Sequence, residues 1–79
     1  EAVVGALTAG LGEELAEEGI WVNAVAPSVM DTEANRKAMP AADFSKWAKV
    51  AEVAAAIVFL ASPQNAAARG AIVPVYGRT

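Results

Sequence analysis

Between Gly19 and Pro27 the chain reads Ile20-Trp21-Val22-Asn23-Ala24-Val25-Ala26, apolar at every position except Asn23. A strand with one wet face alternates apolar and polar residues, whereas a near-continuous apolar run needs cover on both faces. Ile20–Ala26 therefore predicts a strand of a parallel sheet flanked by helices, with Pro27 as its stop. In open α/β sheets ligands bind in the crevice outside the carboxyl ends of the strands. The polar turn that begins at Pro27 and runs to Thr32 is then the part of the chain a ligand would touch.

The flanking segments carry helical periodicity. From Glu1 to Glu18, Val4, Leu7, Leu11 and Leu15 recur at three and four, which predicts a helix with one apolar stripe. Gly19 stands where a left-handed C-terminal cap is wanted. Gly5, Ala9, Gly12 and Ala16 make a second stripe of small residues. Interior glycines each cost a helix about 1 kcal/mol relative to alanine, so this stripe points to close approach of another backbone. One face is expected on a sheet and the other on a second helix.

Pro27 to Ala48 reads as a long irregular stretch with a short helix near Ala41 to Lys46. At more than twenty residues it exceeds ordinary connections, and such loops are commonly functional lids or disordered. Val50 to Ser62 is a second helix with Val53, Ile57 and Leu60 as its core stripe and Pro63 as its stop. Lys49 supplies no capping side chain, so that end is expected to fray. After a polar, Ala-rich connector from Gln64 to Arg69, Ala71 to Tyr76 is a second strand. Pro74 cannot donate to a ladder, which makes this an edge strand or strand end. Two parallel strands do not make a stable sheet alone. The fold class is therefore α/β, a helix-strand-lid-helix-strand piece of a larger sheet and incomplete by itself.

Composition narrows the chemistry. At 79 residues and 56% hydrophobic, with mean hydropathy +0.37, the chain carries more apolar surface than a small self-contained domain usually exposes. Such a chain buries only about 60% of its unfolded surface. The apolar run from Val53 to Ala61 falls well short of the roughly eighteen residues of a membrane span, so no membrane partner is expected. There is no cysteine and no histidine, which removes disulfides, thiolate metal sites and the commonest general base and metal ligand. No metal site is expected. No signal-peptide pattern opens the chain at Glu1, and a cytoplasmic protein is the expectation. All seven ionisable residues up to Glu33 are acidic, while the later part carries six basic against two acidic, for a net charge of −3. The basic residues are scattered and not interleaved with aromatics, so nucleic acid is not an expected partner. Glu13, Glu14, Glu17 and Glu18 are read as a solvated face.

Several stretches in order resemble one family. Ala2-Val3-Val4-Gly5-Ala6-Leu7-Thr8, Glu14-Leu15-Ala16, Gly19-Ile20-Trp21-Val22-Asn23-Ala24-Val25-Ala26-Pro27, Glu52-Val53-Ala54 through Phe59-Leu60-Ala61-Ser62, and Gly70-Ala71-Ile72-Val73-Pro74-Val75-Tyr76-Gly77 are similar to the C-terminal third of a classical short-chain dehydrogenase/reductase. The resemblance implies a doubly wound Rossmann-type parallel sheet. It implies hydride transfer between NAD or NADP and an alcohol or carbonyl, with a small-molecule substrate. Residues 1–79 would then be the C-terminal fragment of that domain, with 27–49 as a lid-like loop.

The family's Pro-Gly-x-x-x-Thr segment falls on Pro27, Ser28 and Thr32. The resemblance gives Pro27 the shaping of the turn, the Val29 backbone a bond to the nicotinamide carboxamide, and Thr32 a hydroxyl for the carboxamide or the pyrophosphate. Ser28 stands where the family has glycine, Lys49-Val50 where a capping Ser/Thr-Pro is common, and Tyr76-Gly77-Arg78 where many members have Asp-Gly-Gly. The family's Tyr-x-x-x-Lys pair would fall just before Glu1, and its catalytic Ser, its Asn and its glycine-rich phosphate loop further upstream. No catalytic residue is therefore assigned within the chain, and the 79 residues alone are expected to be inactive. Gly5, Gly10 and Gly12 mimic a phosphate loop only superficially, since they lie inside a helix.

Each assigned residue has a plainer role beside it. Thr32 could cap a local turn through its hydroxyl. Asn23 is read as structural, bonding backbone between strand and loop. Met30, Met39, Phe44 and Trp47 either line a substrate pocket or pack the lid. Tyr76 has no nearby lysine and is read as packing or a subunit contact. Besides the oxidoreductase reading stands a non-catalytic structural or oligomerisation segment. The partner surfaces fit a homodimer or homotetramer, or association with the missing N-terminal part. A stand-alone binding module is the weakest reading.

Overall fold

The computed structural model describes residues 2–79. Helix α1 spans Ala2–Leu15 and tightens into a 3-10 turn over Ala16–Glu18. Glu1, the expected helix start, lies outside the described residues. Gly19 ends the helix at φ +73°, a left-handed conformation that glycine adopts without a Cβ penalty. Gly19 N donates to Ala16 O at 3.0 Å and Ile20 N to Leu15 O at 3.2 Å. This nested pair satisfies carbonyls that the helix end leaves open. The expected cap is borne out.

The first strand, β1, is shorter than the apolar run and covers Ala24–Pro27. It pairs in parallel with the last strand, β4 (Ile72–Val75), in the register Ala24↔Ile72 to Pro27↔Val75. Ile20 to Asn23 stay outside the ladder because the connector before β4 engages them irregularly. Gly70 N donates to Val22 O at 2.7 Å, and the Trp21 indole N–H donates to Asn65 O at 3.0 Å. Asn23 Nδ2 donates to Ala68 O at 3.0 Å and Asn23 Oδ1 accepts from Ala71 N at 3.1 Å. Asn23 thus joins strand to loop, the structural role expected of it.

The stretch from Pro27 to Ala48 is not irregular. Met30–Asp31 form β2, Glu33–Ala38 form helix α2, and a 3-10 turn at Phe44–Lys46 leads into β3, Ala48–Lys49. Strands β2 and β3 pair in parallel, Met30 with Ala48 and Asp31 with Lys49. The segment leaves the sheet, makes one helical turn and a half, and returns beside its own start.

Helix α3, Val50–Ala61, follows β3 directly. Its expected frayed start is corrected by Glu52, whose carboxylate reaches back to accept from Lys49 N at 2.8 Å. The residue in the third helical position thus supplies half of a capping box although Lys49 cannot accept.

Packing is thin. Trp47, Ala48 and Val53 are the buried hydrophobic residues among those described, and the radius of gyration is 14.8 Å against about 12 Å for a compact domain of this length. Small residues of α1 face the sheet: Gly12 lies against the Gly70 backbone and Gly5 against Ile72 Cδ1. The Val/Leu stripe is consequently left largely uncovered, with Val4 55%, Leu7 57% and Leu11 40% exposed. In α3, Val53 is buried but Ile57 is half exposed. Such apolar exposure on helix faces marks surfaces that other protein covers. No helix among the described residues is long and apolar enough to cross a membrane.

Candidate functional site

The site is built at the carboxyl end of β1. The strand stops at Pro27, whose ring leaves no N–H for a further ladder bond. Pro27 and Ser28 are exposed and Val29 is half-buried. One residue after Val29 the chain enters β2, so the turn is held between two short parallel pairings. Both strand pairs are only a few residues long, and both meet at this turn.

Thr32 closes the segment as the N-cap of α2, in extended conformation. Its Oγ1 accepts from Asn35 N at 3.1 Å, and Asn35 Nδ2 donates to Met30 O at 2.9 Å. The turn-capping role is therefore present. Accepting one hydrogen bond leaves the hydroxyl proton free to donate, so capping and a second contact are compatible.

Asp31 and Arg36 form a two-pronged ion pair beside Thr32, with Nε–Oδ1 at 2.6 Å and Nη2–Oδ2 at 2.8 Å. The Asp31 side chain is only 15% exposed. Hydrogen bonding to the Arg36 guanidinium holds its carboxyl below the usual carboxylate range. The guanidinium also lies over the Phe44 ring, 4.7 Å from its centroid, and Phe44 meets Trp47 at 5.0 Å with the rings tilted by 48°. This column of ion pair, cation–π contact and aromatic pair stiffens the segment between β2 and β3. Phe44 and Trp47 thus pack on one another, while Met39 is exposed and Met30 sits in β2. Tyr76 lies just past β4 and is half exposed.

Sequence reading placed Pro27, Ser28, Val29 and Thr32 in one segment, and the structure keeps them on one turn. It did not find Asn65, whose buried amide donates to Leu60 O at 3.0 Å and Ala68 O at 2.8 Å and accepts from Ala68 N at 2.8 Å. It also did not find the pairings Asp31–Arg36 and Glu52–Arg78. An acid and a base five residues apart have no standard helical spacing, and the second pair is remote in sequence.

Two pockets flank β1. One of about 250 Å³ is lined by Val4, Val25, Pro27 and Ile72 on the α1 face, and one of about 150 Å³ by Trp21, Val25, Ile57 and Leu60 on the α3 face. Ala24 and Val25 line both.

Known proteins share this arrangement. The family model described as Enoyl-(Acyl carrier protein) reductase matches residues 1–77. Galactitol 2-dehydrogenase of Rhizobium johnstonii is 42% identical over 85 residues, covering 95% of this chain and 33% of that protein. The solved structure of ElxO with NADP bound superposes with a TM-score of 0.78 at 32% identity, covering 94% of this chain and 34% of that one. A short-chain dehydrogenase/reductase of Serratia marcescens gives 0.80 at 28% identity, covering 98% and 34%. The chain thus spans about a third of the length of the relatives it matches. Its parallel strands and flanking helices are the corresponding part of a Rossmann-type sheet. The chain belongs to the short-chain dehydrogenase/reductase family.

Proposed function

We infer that this chain is part of an NAD(P)-dependent oxidoreductase that interconverts an alcohol and a carbonyl, and that it supplies one wall of the nicotinamide site and the substrate lid. The observation that carries the reading is the turn at the end of β1. An exposed Pro27-Ser28 step, a half-buried Val29 and a Thr32 hydroxyl with its proton uncommitted all occur where ligands meet α/β sheets. The bound nicotinamide would supply the hydride chemistry. Pro27 fixes the direction in which the chain leaves the sheet, Ser28 and Val29 present peptide groups to a carboxamide, and Thr32 offers one donor. Residues 27–49 fold back over the turn and restrict water. The relatives' activities, on galactitol in one case and with bound NADP in another, support the reaction class. The 79 residues taken alone are expected to turn over no substrate.

The test is equilibrium binding of NADH and NADPH to the intact protein, followed by nucleotide fluorescence. Thr32→Val keeps the shape and removes the hydroxyl. A weakening of about fivefold is expected for one lost hydrogen bond. Absence of binding by the unaltered protein, or unchanged affinity in the variant, overturns the assignment.

A second role is favoured by the exposed faces. Val3, Val4, Leu7 and Leu11 on α1 and Ile57, Val58 and Phe59 on α3 remain uncovered within the chain. These surfaces suit a homodimer or homotetramer, or the remainder of a larger domain, and the segment then acts in assembly as well as in binding.

A further inference from the structure

Arg78 and Glu52 join parts of the chain that local sequence does not connect. Arg78 Nη1 donates to Glu52 Oε2 at 3.0 Å and Nη2 to Glu52 Oε1 at 2.8 Å. The same guanidinium donates through Nε to Ser45 O at 3.1 Å and through Nη2 to Trp47 O at 2.9 Å. The Arg78 backbone N–H donates to Lys46 O at 2.9 Å. An exposed ion pair is ordinarily worth little. Here, however, a planar fork engages one carboxylate on two prongs and two carbonyls at once, a geometry that a lysine cannot reproduce.

The residue before it explains how Arg78 gets there. Gly77 has φ +69°, and a Cβ at that position would lie 2.5 Å from Ala48 N and 2.8 Å from Ala48 Cα. The tail therefore rests directly on the backbone of β3. Ala48 is fully buried, held between Gly77 on one side and its pairing with Met30 on the other. Met30 begins β2, the residue after Val29. Glu52, which anchors Arg78, also accepts from Lys49 N, so the tail, the start of α3 and both ends of β3 are locked by one carboxylate.

We propose that Arg78 is a positioning residue for the ligand-facing turn: it holds Ser45–Lys49 through Glu52 and three backbone carbonyls, and the β2·β3 pairing passes that constraint to Met30–Thr32. The proposal rests on the nicotinamide reading of Pro27–Thr32. It gives a joint purpose to two of the three places where the sequence departs from the family's common pattern, Lys49-Val50 and Tyr76-Gly77-Arg78.

The test compares Arg78→Lys and Glu52→Gln with the unaltered intact protein by amide hydrogen exchange and by binding of NADH, NADPH and ADP-ribose, which lacks the nicotinamide. In Arg78→Lys, exchange is expected to rise about tenfold at residues 46–49 and 30–31 while Ala24–Pro27 and Ile72–Val75 keep their protection, as for a local opening. Affinity for NADH or NADPH is expected to fall about fivefold and that for ADP-ribose by less than about twofold. Glu52→Gln should show the same pattern, and the double variant should be little worse than either single one. Faster exchange at 46–49 with 30–31 unchanged overturns the proposal, as does faster exchange throughout the chain or equal loss for ADP-ribose and dinucleotide. An unaltered protein that binds no nicotinamide nucleotide overturns the reading of the turn instead, and exchange at 30–31 still decides whether Arg78 holds it.

Discussion

Two glycines in α1, Gly10 and Gly12, should respond to the same substitution with opposite signs. An added Cβ at Gly10 meets nothing within 4 Å, whereas at Gly12 it would lie 2.7 Å from Gly70 Cα and 2.9 Å from Gly70 N. Carbon contacts are comfortable at about 3.5–4.0 Å, so α1 must retreat by about 1 Å or Gly70 must move. Gly70 is not free to do so, because its N–H is bonded to Val22 O at 2.7 Å. Alanine in a helix interior is favoured over glycine by about 1 kcal/mol, and overpacking of a close contact costs about 1–3 kcal/mol. Gly10→Ala should therefore stabilise by up to about 1 kcal/mol, and Gly12→Ala should destabilise by up to about 2 kcal/mol once its propensity gain is subtracted. Urea unfolding of the intact protein reads the difference. With a slope of about 1–3 kcal/mol per molar, the two midpoints should separate by about 1 M or more. Equal midpoints, or a Gly12→Ala variant above Gly10→Ala, would show that α1 does not press on the Gly70 backbone.

Two further outcomes follow from the polar contacts. Asn65→Ala removes the donor to Leu60 O and Ala68 O and the acceptor of Ala68 N, and should cost about 2–3 kcal/mol in the same urea assay; a loss within error would mean water replaces the amide. The Glu52 carboxyl, hydrogen-bonded first by Arg78 and then by the Lys49 N–H, is pushed down to about 2 from 4.5. Its folded pKa lies below its unfolded one, so its contribution is complete above pH 4.5 and is lost as pH falls towards 2. The gap in melting temperature between the unaltered protein and Glu52→Gln should be constant near neutrality and close across that window. A gap that persists unchanged at pH 2.5 would refute the assignment.

What was legible in the sequence had a local cause. Gly19 announced the left-handed end of α1, and the apolar run before Pro27 announced a strand covered on both faces. Asn23, the one polar residue in that run, proved to bond the connector. Residues 27–49 hid their order because it comes from partners distant in sequence. Strand β2 exists only through Ala48 and Lys49, and the stacked column beside it depends on Arg36 meeting both Asp31 and Phe44. The two stripes on α1 were visible, but not which one faces inward. That choice is made at Gly70, which admits a glycine and excludes a leucine. The cofactor role proposed for Pro27, Ser28, Val29 and Thr32 rests on family likeness, and the geometry adds only that Thr32 can cap α2 and still donate.

The register of β1 with β4 has a consequence for how such a sheet can grow. Ala24 N donates to Ala71 O, so in the alternation of a parallel ladder Ile72 and Pro74 turn their peptide groups away from β1. On that outer edge Pro74 offers no donor, and a strand arriving from solvent finds the row of donors interrupted. The opposite edge obeys the same alternation: Val25 turns its peptide groups outward, and Pro27, which closes β1, offers no donor there either. Strand addition is therefore limited on both rims, with one donor left to pair before each proline: Val25 beside β1 and Ile72 beside β4. A proline on each outer edge thus guards this two-stranded sheet against edge-to-edge aggregation.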